Sequence, residues 1–204
     1  MITIIDYGLG NIKAISNVYE NFNIKTKIAK SKDDLEDAQR IILPGVGHFD
    51  HAMDLLNKSG MRTKLDELIL IQKKPILGIC VGMQIMANSS EEGIQPGLKY
   101  MDAEVKKFDV SKIKHQTKIP HMGWNNVKNS NGDALFNEIE IDASFYFLHS
   151  YHVVCKNENE AISVTDYEGK FISVFRKNHI FGVQFHPEKS HRAGELLLRN
   201  FAKI

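Results

Sequence analysis

A cysteine between two glycines is the first feature of this sequence with a chemical use. The segment 78–82, Gly-Ile-Cys-Val-Gly, follows a short apolar run, and a helical pattern begins at about Val81. A strand that turns sharply into a helix holds the intervening residue strained and exposed, and flanking glycines relieve the crowding. Cys80 is therefore a candidate nucleophile, and the start of a helix favours its thiolate form. The alternative is a small buried side chain, because free cysteine is among the most buried residue types.

A histidine and a glutamate stand two residues apart in His186-Pro187-Glu188. A cysteine nucleophile needs a group that protonates the departing amine, which histidine can supply. Because proline favours an extended backbone in the preceding residue, we predict that His186 and Glu188 project to the same side. The carboxylate would then orient the imidazole and stabilise its charged form. Alone, the tripeptide is better explained by a strand-terminal histidine and a solvated glutamate; beside the cysteine elbow, the catalytic interpretation is favoured.

A third motif, Pro44-Gly45-Val46-Gly47, follows another apolar run. Attack on a carbonyl group creates an oxyanion that backbone N–H groups can stabilise. With a glycine on each side, the Val46 amide can turn toward such an oxyanion at little steric cost. Many strand-to-helix turns contain a similar sequence, so the weight of this motif depends on the other two.

The elements around these motifs alternate between short apolar runs and longer helical patterns, which is typical of strands joined by crossover helices. In the first half we predict strands at residues 2–5, 25–29, 40–43 and 75–79, the third stopped by Pro44. Helices are predicted at residues 11–22, 48–57 and 60–72 and from about residue 81. Ser31 and Asp34 have the spacing of a capping box that opens a further short helix.

From about residue 100 the pattern changes to a period of two, which predicts antiparallel or mixed strands. These segments are residues 103–108, 144–151, 161–165, 171–175 and 180–185. Residues 191–202 predict a closing amphipathic helix whose apolar side consists of Leu196, Leu197, Leu198 and Phe201. With 204 residues and no internal repeat or linker, the chain is expected to form one domain, 1–204.

Composition excludes several classes of function. The chain has 26 basic and 25 acidic residues, so nucleic acid is not an expected partner. The basic run at residues 112–118 is interpreted as a solvated loop. Without a basic leader or a long apolar stretch, we expect no membrane association and a cytoplasmic location. Two cysteines in such a chain suggest reduced thiols, and Cys155, in an apolar strand without a glycine elbow, is expected in the core.

Two patterns that suggest a bound cofactor are set aside. Gly8-Leu9-Gly10 follows the first strand as in a dinucleotide fingerprint, but Lys13 stands where the third glycine belongs. Two histidine pairs lack a third ligand at a spacing typical of metal sites, namely His48 with His51 and His149 with His152. We therefore expect neither a nucleotide cofactor nor a metal.

Four segments, in this order, resemble those of class I, or triad, glutamine amidotransferases: PGVGHF at 44–49, GICVGMQ at 78–84, HMGWN at 121–125 and QFHPEKS at 184–190. The similarity extends from DYGLGN at 6–11 to the last helix and, within the class, is greatest to the glutaminase subunits of imidazole glycerol phosphate synthase. Val81 departs from the leucine that is usual there. The resemblance implies a three-layer α/β sandwich with a central, mostly parallel sheet and antiparallel strands in the C-terminal half.

The resemblance also implies roles for individual residues. Cys80 attacks the side-chain amide of L-glutamine, His186 protonates the departing ammonia, Glu188 holds His186, and water cleaves the thioester. The oxyanion hole consists of the Val46 amide, which turns before the hole is complete, and the Val81 amide, beside Gly47. Glutamine is recognised by Gln84, Glu92, His149, Ser150 and Tyr151. This chemistry requires no metal or other cofactor.

Ammonia implies a partner, because it is protonated in bulk water and a synthase gains from receiving it through a shielded passage. In the family the partner is a (β/α)8-barrel cyclase of the HisF type, which makes imidazole glycerol phosphate and AICAR in histidine biosynthesis. The matching docking residues are Asn11, Trp124, Tyr146 and Lys189. Trp124 is the only tryptophan and suits an interface anchor. Its alternative is a core tryptophan with a bonded indole N–H.

Three other functions remain open at this point. Residues 49–53, 88–93 and 145–151 are also similar to paralogues that supply ammonia to enzymes forming amidino groups on surface sugars. A catalytically silent binding subunit would be expected to lack a triad residue, and all three are present. A cysteine peptidase or other hydrolase of related architecture fits PGVG and HPE together less well.

Overall fold

A computed structural model describes residues 1–111, 113–114, 118–129 and 132–204. Its helices are α1 (Ile12–Asn21), α2 (Phe49–Lys58), α3 (Arg62–Asp66), α4 (Val81–Gln84) and α5 (His191–Phe201). The strands of the first half are β1 (Ile2–Ile5), β2 (Thr26–Ala29), β3 (Ile41–Gly45), β4 (Ile76–Cys80) and β5 (Ser89–Ser90). Those of the second half are β6 (Ala103–Lys107), β7 (His121–Asn126), β8 (Lys128–Asn129), β9 (Ser144–His149), β10 (Tyr151–Cys155), β11 (Ala161–Asp166), β12 (Lys170–Lys177) and β13 (Ile180–Val183).

The largest sheet has the order β2-β1-β3-β4-β13-β12-β11-β8 within the described residues. Its pairs from β2 to β13 are parallel, and those from β13 to β8 are antiparallel. Two smaller sheets have the orders β10-β6-β5 and β7-β9. The predicted mostly parallel sheet with antiparallel strands in the C-terminal half is confirmed.

The middle of the large sheet is covered on both faces. Every residue of β1, β3, β4 and β13 is buried, as expected where helices pack on each side of a parallel sheet. Helix α1 packs against α5, and α2 packs against α4. The predicted apolar side of α5 is confirmed, because Leu196, Leu197, Leu198 and Phe201 are all buried.

Strand β3 does not stop at Pro44, so the predicted end was wrong. The strand continues to Gly45, and Pro44 stays in register with Ile79 of β4. On its other side β3 pairs with β1 only at Ile41 and Ile42, so no neighbouring strand there requires the N–H that proline lacks. The Pro44 carbonyl instead accepts a hydrogen bond from the Tyr7 hydroxyl at 2.8 Å.

The single strand predicted over residues 144–151 was also wrong. The chain breaks at Ser150 into β9 and β10, which belong to different sheets. Strand β9 pairs with β7, whereas β10 pairs with β6. The break carries the chain from one small sheet to the other, which places residues 149–151 at the junction.

The shorter helices differ in detail from the prediction. The helix predicted at residues 60–72 is α3 continued by a π-helical segment, Glu67–Ile71. The helix after Cys80 is the single turn α4, so its dipole is smaller than expected. The capping box was half right: the Asp34 carboxylate accepts from the Ser31 amide at 3.0 Å, but the segment is a 3₁₀ turn, Asp33–Leu35, that no side chain caps.

Other expectations concern the chain as a whole. No helix in the described part of the chain has the length and apolarity needed to cross a membrane. Both cysteines are buried free thiols, and burial raises the pKa of Cys155 to about 12, in agreement with a core thiol. Much of the basic run at 112–118, namely Lys112 and residues 115–117, lies outside the described residues.

Candidate active site

The carboxyl ends of adjacent parallel strands bring the predicted motifs together. Gly45, the last residue of β3, lies opposite Cys80, the last residue of β4. On the other side of β4, Val183 at the end of β13 lies opposite Ile79. The chain therefore leaves β3 into the PGVG loop and leaves β13 toward His186, and both segments reach Cys80 at the same edge of the sheet.

Cys80 adopts the strained backbone that the elbow predicts. Its φ of 55° and ψ of −113° lie in a region that side chains other than glycine seldom adopt. A Cβ at Gly78 would lie 2.7 Å from the Gly82 carbonyl oxygen, and a Cβ at Gly82 would collide with the Leu43 carbonyl oxygen. The glycines thus allow close backbone approach, while the cysteine itself takes the positive φ.

His186 and Glu188 form a buried hydrogen-bonded pair. His186 Nδ1 lies 2.9 Å from Glu188 Oε1, and the two side chains are 3% and 1% exposed. Burial works against the charged imidazole, but hydrogen bonds to Cys80 and Glu188 outweigh it and raise the pKa of His186. The arrangement favours a protonated imidazole between a carboxylate and a sulfur atom.

The carboxylate of Glu188 is stabilised in its ionised form. Burial raises the pKa of this group, yet hydrogen bonds from His186 and then Asn11 outweigh burial and lower the pKa below its ordinary value. Asn11 Nδ2 donates to the same oxygen, Oε1, at 2.7 Å. The sequence pointed to Asn11 only as a docking residue and carried no signal for this contact, which spans 177 positions.

The backbone of the His-Pro-Glu segment differs from the prediction. His186 is extended, as expected before proline, but Pro187 opens a 3₁₀ turn, Pro187–Lys189, so the segment is not a continuous strand. The fixed φ of proline suits the first position of such a turn. The turn brings the glutamate back to the imidazole, so the pair forms by a different route from the one predicted.

A cavity of about 260 Å³ opens beside Cys80. Its wall contains every residue predicted for the oxyanion hole and for glutamine recognition: Val46, Gly47, Val81, Gln84, Glu92, His149, Ser150 and Tyr151. Cys80, Pro120, Leu148 and His186 complete the lining. Glu92 is held by the amide at the start of α2, where Phe49 N donates to Glu92 Oε2 at 2.8 Å.

A larger cavity, of about 720 Å³, shares Pro120 with the first. It is lined by Pro120, His121, Met122, Trp124, Asn125, Asp166, Tyr167 and Glu168. None of these described lining residues is a cysteine or lies in the His-Pro-Glu segment. The smaller cavity, which Cys80 and His186 line, is therefore the candidate active site.

The predicted docking residues other than Asn11 lie together on the surface. Trp124 on β7 is 49% exposed and pairs with Tyr146 on β9, so the alternative of a core tryptophan is wrong. Lys189 Nζ lies 5.6 Å from the centre of the Tyr146 ring. His191, which the sequence did not indicate, stacks on Trp124 with ring centres 4.9 Å apart. These side chains form one aromatic and basic surface.

The histidines considered as metal ligands have other contacts. His48 Nδ1 accepts from the Asp50 amide at 3.2 Å and caps α2. His152 stacks on Phe108 with ring centres 4.9 Å apart. Within the described ranges, no group of three or more histidine, cysteine, aspartate or glutamate side chains is arranged to hold a metal ion.

Comparison with known proteins agrees with the class that this fold and site define. Residues 3–204 match the family model described as glutamine amidotransferase class-I. The fold is similar to that of a putative GMP synthase subunit from Thermoplasma acidophilum, with a TM-score of 0.73, 22% identity and coverage of 99% and 92% of the two chains. It is also similar to PurLQS from Thermotoga maritima, with a TM-score of 0.75, 16% identity and coverage of 99% and 97%.

Sequence relatives define the group within this class. The chain is 46% identical to the imidazole glycerol phosphate synthase subunit HisH of Leptospira interrogans over 100% of both chains. It is 48% identical to the HisH subunit of Bdellovibrio bacteriovorus, again over 100% of both. The chain belongs to the class I glutamine amidotransferases, within the HisH family.

Proposed function

We propose that the chain is the glutaminase subunit of an imidazole glycerol phosphate synthase, hydrolysing L-glutamine to glutamate and ammonia at Cys80. The observation that carries the proposal is a cysteine at a strained elbow that lines one cavity together with an imidazole held by a buried carboxylate. The relatives named HisH are subunits of that synthase, which implies a glutamine substrate and a partner subunit. The partner we infer is a (β/α)8-barrel cyclase of the HisF type, forming imidazole glycerol phosphate and AICAR.

The reaction follows from the positions of the three groups. The thiolate of Cys80 attacks the side-chain carbonyl carbon of glutamine, and the carbonyl oxygen gains the negative charge. His186, protonated, gives its proton to the amide nitrogen, and the C–N bond breaks to release ammonia. His186 then takes a proton from water, which attacks the thioester and releases glutamate and the thiolate. Glu188 keeps the imidazole oriented and stabilises its positive charge.

The backbone N–H groups of Val46 and Val81 stabilise the oxyanion. A Cβ on Gly45 would lie 2.5 Å from the Gly82 nitrogen, so this position has room only for a glycine. Gly47 has φ of +90° and open space around its Cβ position. The Val46 N–H belongs to the peptide bond between Gly45 and Val46, so we infer that any rotation of this amide toward the oxyanion changes ψ of Gly45 and φ of Val46, and the glycine on each side of Val46 allows this at little steric cost.

The cavity wall also accounts for an amino-acid substrate. Gln84 Nε2 donates to the Tyr151 carbonyl and to Gln184 Oε1, both at 3.0 Å, so both of its N–H groups are used. Gln84 therefore offers its carbonyl oxygen to the cavity. This acceptor and the Glu92 carboxylate suit the ammonium group of glutamine.

The decisive experiment is Cys80→Ala in the complex with the cyclase. We expect glutamine-dependent synthesis to be lost and synthesis from added ammonium salts to continue, because the ammonia site of the cyclase remains intact. Cys155→Ala is the matched control, since it removes the other thiol of the chain and is expected to retain both activities. Loss of both activities in Cys80→Ala, or of neither, would contradict the proposed division of labour.

The comparisons do not favour the other functions. The relatives bear the name of the histidine-pathway synthase, whereas a sugar-amidinating role has no support among those described above. A silent binding subunit does not account for the assembled cysteine, histidine and glutamate. We also infer a single domain, supported by the match over residues 3–204, and a cytoplasmic location, supported by two free thiols.

A further inference from the structure

Two buried histidines, one on each strand of the β7-β9 sheet, are in direct contact. His121 and His149 lie opposite each other in the strand register and are 3% and 6% exposed. His121 Nδ1 and His149 Nε2 are 3.1 Å apart, a hydrogen-bond distance. One nitrogen must donate and the other accept, so the contact fixes a proton on one ring and excludes it from the facing nitrogen of the other.

The active-site end of this contact determines which nitrogen donates. His149 Nδ1 lies 2.8 Å from the Tyr151 carbonyl oxygen, which can only accept, so Nδ1 carries a proton. Burial lowers the pKa of His149 well below its ordinary value, and His121, His152 and His186 lower it further. The ring is therefore neutral, its Nε2 has no proton, and His121 must donate from Nδ1.

The contacts of His121 with Asn125 also require that His121 donates to His149. The Asn126 amide donates to Asn125 Oδ1 at 2.8 Å, which identifies the other terminal atom of Asn125 as its nitrogen. That nitrogen, Nδ2, lies 2.9 Å from the Asp166 carbonyl oxygen and 3.2 Å from His121 Nε2. Because an amide nitrogen donates, His121 Nε2 accepts. Both rings are thus neutral with the proton on Nδ1.

The chain of hydrogen bonds continues into the substrate cavity. The Tyr151 carbonyl that accepts from His149 also accepts from Gln84 Nε2, whose second bond goes to Gln184 Oε1. Gln184 Nε2 in turn lies 3.8 Å from Cys80 Sγ. The series therefore links a residue lining the larger cavity to the amide that faces the substrate, with His149 and Gln84 both donating to the Tyr151 carbonyl between them.

We propose that His121 is a positioning residue for glutamine binding: it holds His149 in its Nδ1–H form, which fixes the Tyr151 carbonyl and the acceptor that Gln84 presents. The inference rests on the proposed glutaminase function. His121 does not line the substrate cavity and acts through His149 and Tyr151. Removing its donor leaves His149 Nε2 buried without that partner and frees the ring to change tautomer.

Two substitutions at residue 121 separate hydrogen bonding from packing. The His121 ring stacks on Phe147 at 4.8 Å and on Tyr167 at 4.1 Å between ring centres, and His121→Phe keeps an aromatic ring there without hydrogen bonds. His121→Gln loses the ring but retains one donor and one acceptor. In the complex with the cyclase, we expect KM for glutamine to rise about 5- to 100-fold in His121→Phe and less than about 3-fold in His121→Gln. We expect kcat to change less than about 3-fold in both.

Imidazole ¹⁵N spectra of the unmodified chain provide a readout that does not depend on activity. We expect both His121 and His149 to carry Nδ1–H and an unprotonated Nε2 at neutral pH, and His149 to lose this pattern in His121→Phe. An Nε2–H signal from either ring of the unmodified chain would overturn the proposal, as would an unchanged KM in His121→Phe or an equal rise in both variants. If the expected tautomers are found but the unmodified complex has no glutaminase activity, the proposed function fails and with it the role in glutamine binding.

Discussion

Replacing Asn11 with alanine tests the residue whose surroundings differ most from those expected. The sequence placed Asn11 at the docking surface, whereas the structure places its amide 2.7 Å from Glu188 Oε1. Asn11→Ala removes one of the two described donors to this oxygen and leaves the bond from His186 at 2.9 Å. We expect the imidazole to be held less firmly and acylation of Cys80 to slow.

The size of the effect follows from the charge of the acceptor. A hydrogen bond to a charged group contributes about 1.5–3 kcal/mol, which corresponds to roughly 10- to 150-fold in rate if it is fully expressed in the transition state. Asn11 is partly exposed, so water can take its place beside the carboxylate. We therefore expect the lower end of that range, about tenfold. Asn11→Asp, which puts a second carboxylate beside Glu188, should cost more.

The rate of alkylation of Cys80 by a chloroketone analogue of glutamine measures this effect in the chain without its partner. Affinity for the cyclase is measured separately by titration. Trp124→Ala is the control, since this side chain is half exposed on the predicted docking surface and its loss should weaken the complex without slowing alkylation. If Asn11→Ala weakens the complex but alkylates at the unmodified rate, the contact with Glu188 has no part in the chemistry.

Two further predictions concern stability. Gly82→Ala brings a Cβ against the Leu43 carbonyl and should lower the free energy of unfolding in urea by about 3 kcal/mol or more. The control is Gly60→Ala, which has open space at its positive φ and should lower the free energy of unfolding by about 1–2 kcal/mol. Equal losses in the two variants would contradict the close approach at the elbow. The difference in unfolding free energy between Glu188→Gln and the unmodified chain should be greatest between about pH 4.5 and 6.5. The lowered pKa of Glu188 stabilises the folded chain above pH 4.5, and the raised pKa of His186 stabilises it fully below pH 6.5. The difference should shrink as the pH falls through the folded pKa of Glu188 or rises through that of His186, and a pH-independent difference would contradict an ion pair.

Much of the site was predictable because each motif lies at the end of a strand. Apolar runs followed by PGVG, the cysteine elbow and His-Pro-Glu indicate strand ends, and parallel strands present their carboxyl ends at one edge of a sheet. The types of residue then indicate the chemistry. A local sequence pattern does not report which strands are neighbours in the sheet. The order β3-β4-β13 depends on pairings between segments that are distant in the chain.

The missed strand break has a specific cause. Residues 145, 147 and 149 of β9 are buried, and so are residues 153 and 155 of β10. Burial therefore favours odd positions on both sides of Ser150, and a period of two continues in phase through the break. Alternation reports which face a side chain occupies, but it cannot report that the backbone changes its pairing partner.

The contacts of Asn11 and His121 were missed for another reason. Each depends on one hydrogen bond between segments far apart in the chain, 177 positions for Asn11 with Glu188 and 28 for His121 with His149. Periodicity and motif spacing describe neighbours in sequence or along one element. Single polar contacts of this kind follow only from the assembled fold.

Strand β9 gives a physical route from the predicted docking surface to Cys80, the proposed nucleophile. The side chains at its even positions, Tyr146 and Leu148, face outward. The carbonyl of Tyr146 accepts a hydrogen bond from the His186 amide at 2.8 Å, and the carbonyl oxygen of Leu148 lies 3.8 Å from Cys80 Sγ. A partner that packs on the outward side chains and shifts this strand must also shift the carbonyl groups that contact the histidine and the cysteine. The chain alone should therefore turn over glutamine weakly, with turnover rising when the acceptor-loaded cyclase is bound. Equal turnover in the two states would mean that β9 is already in its working position without the partner.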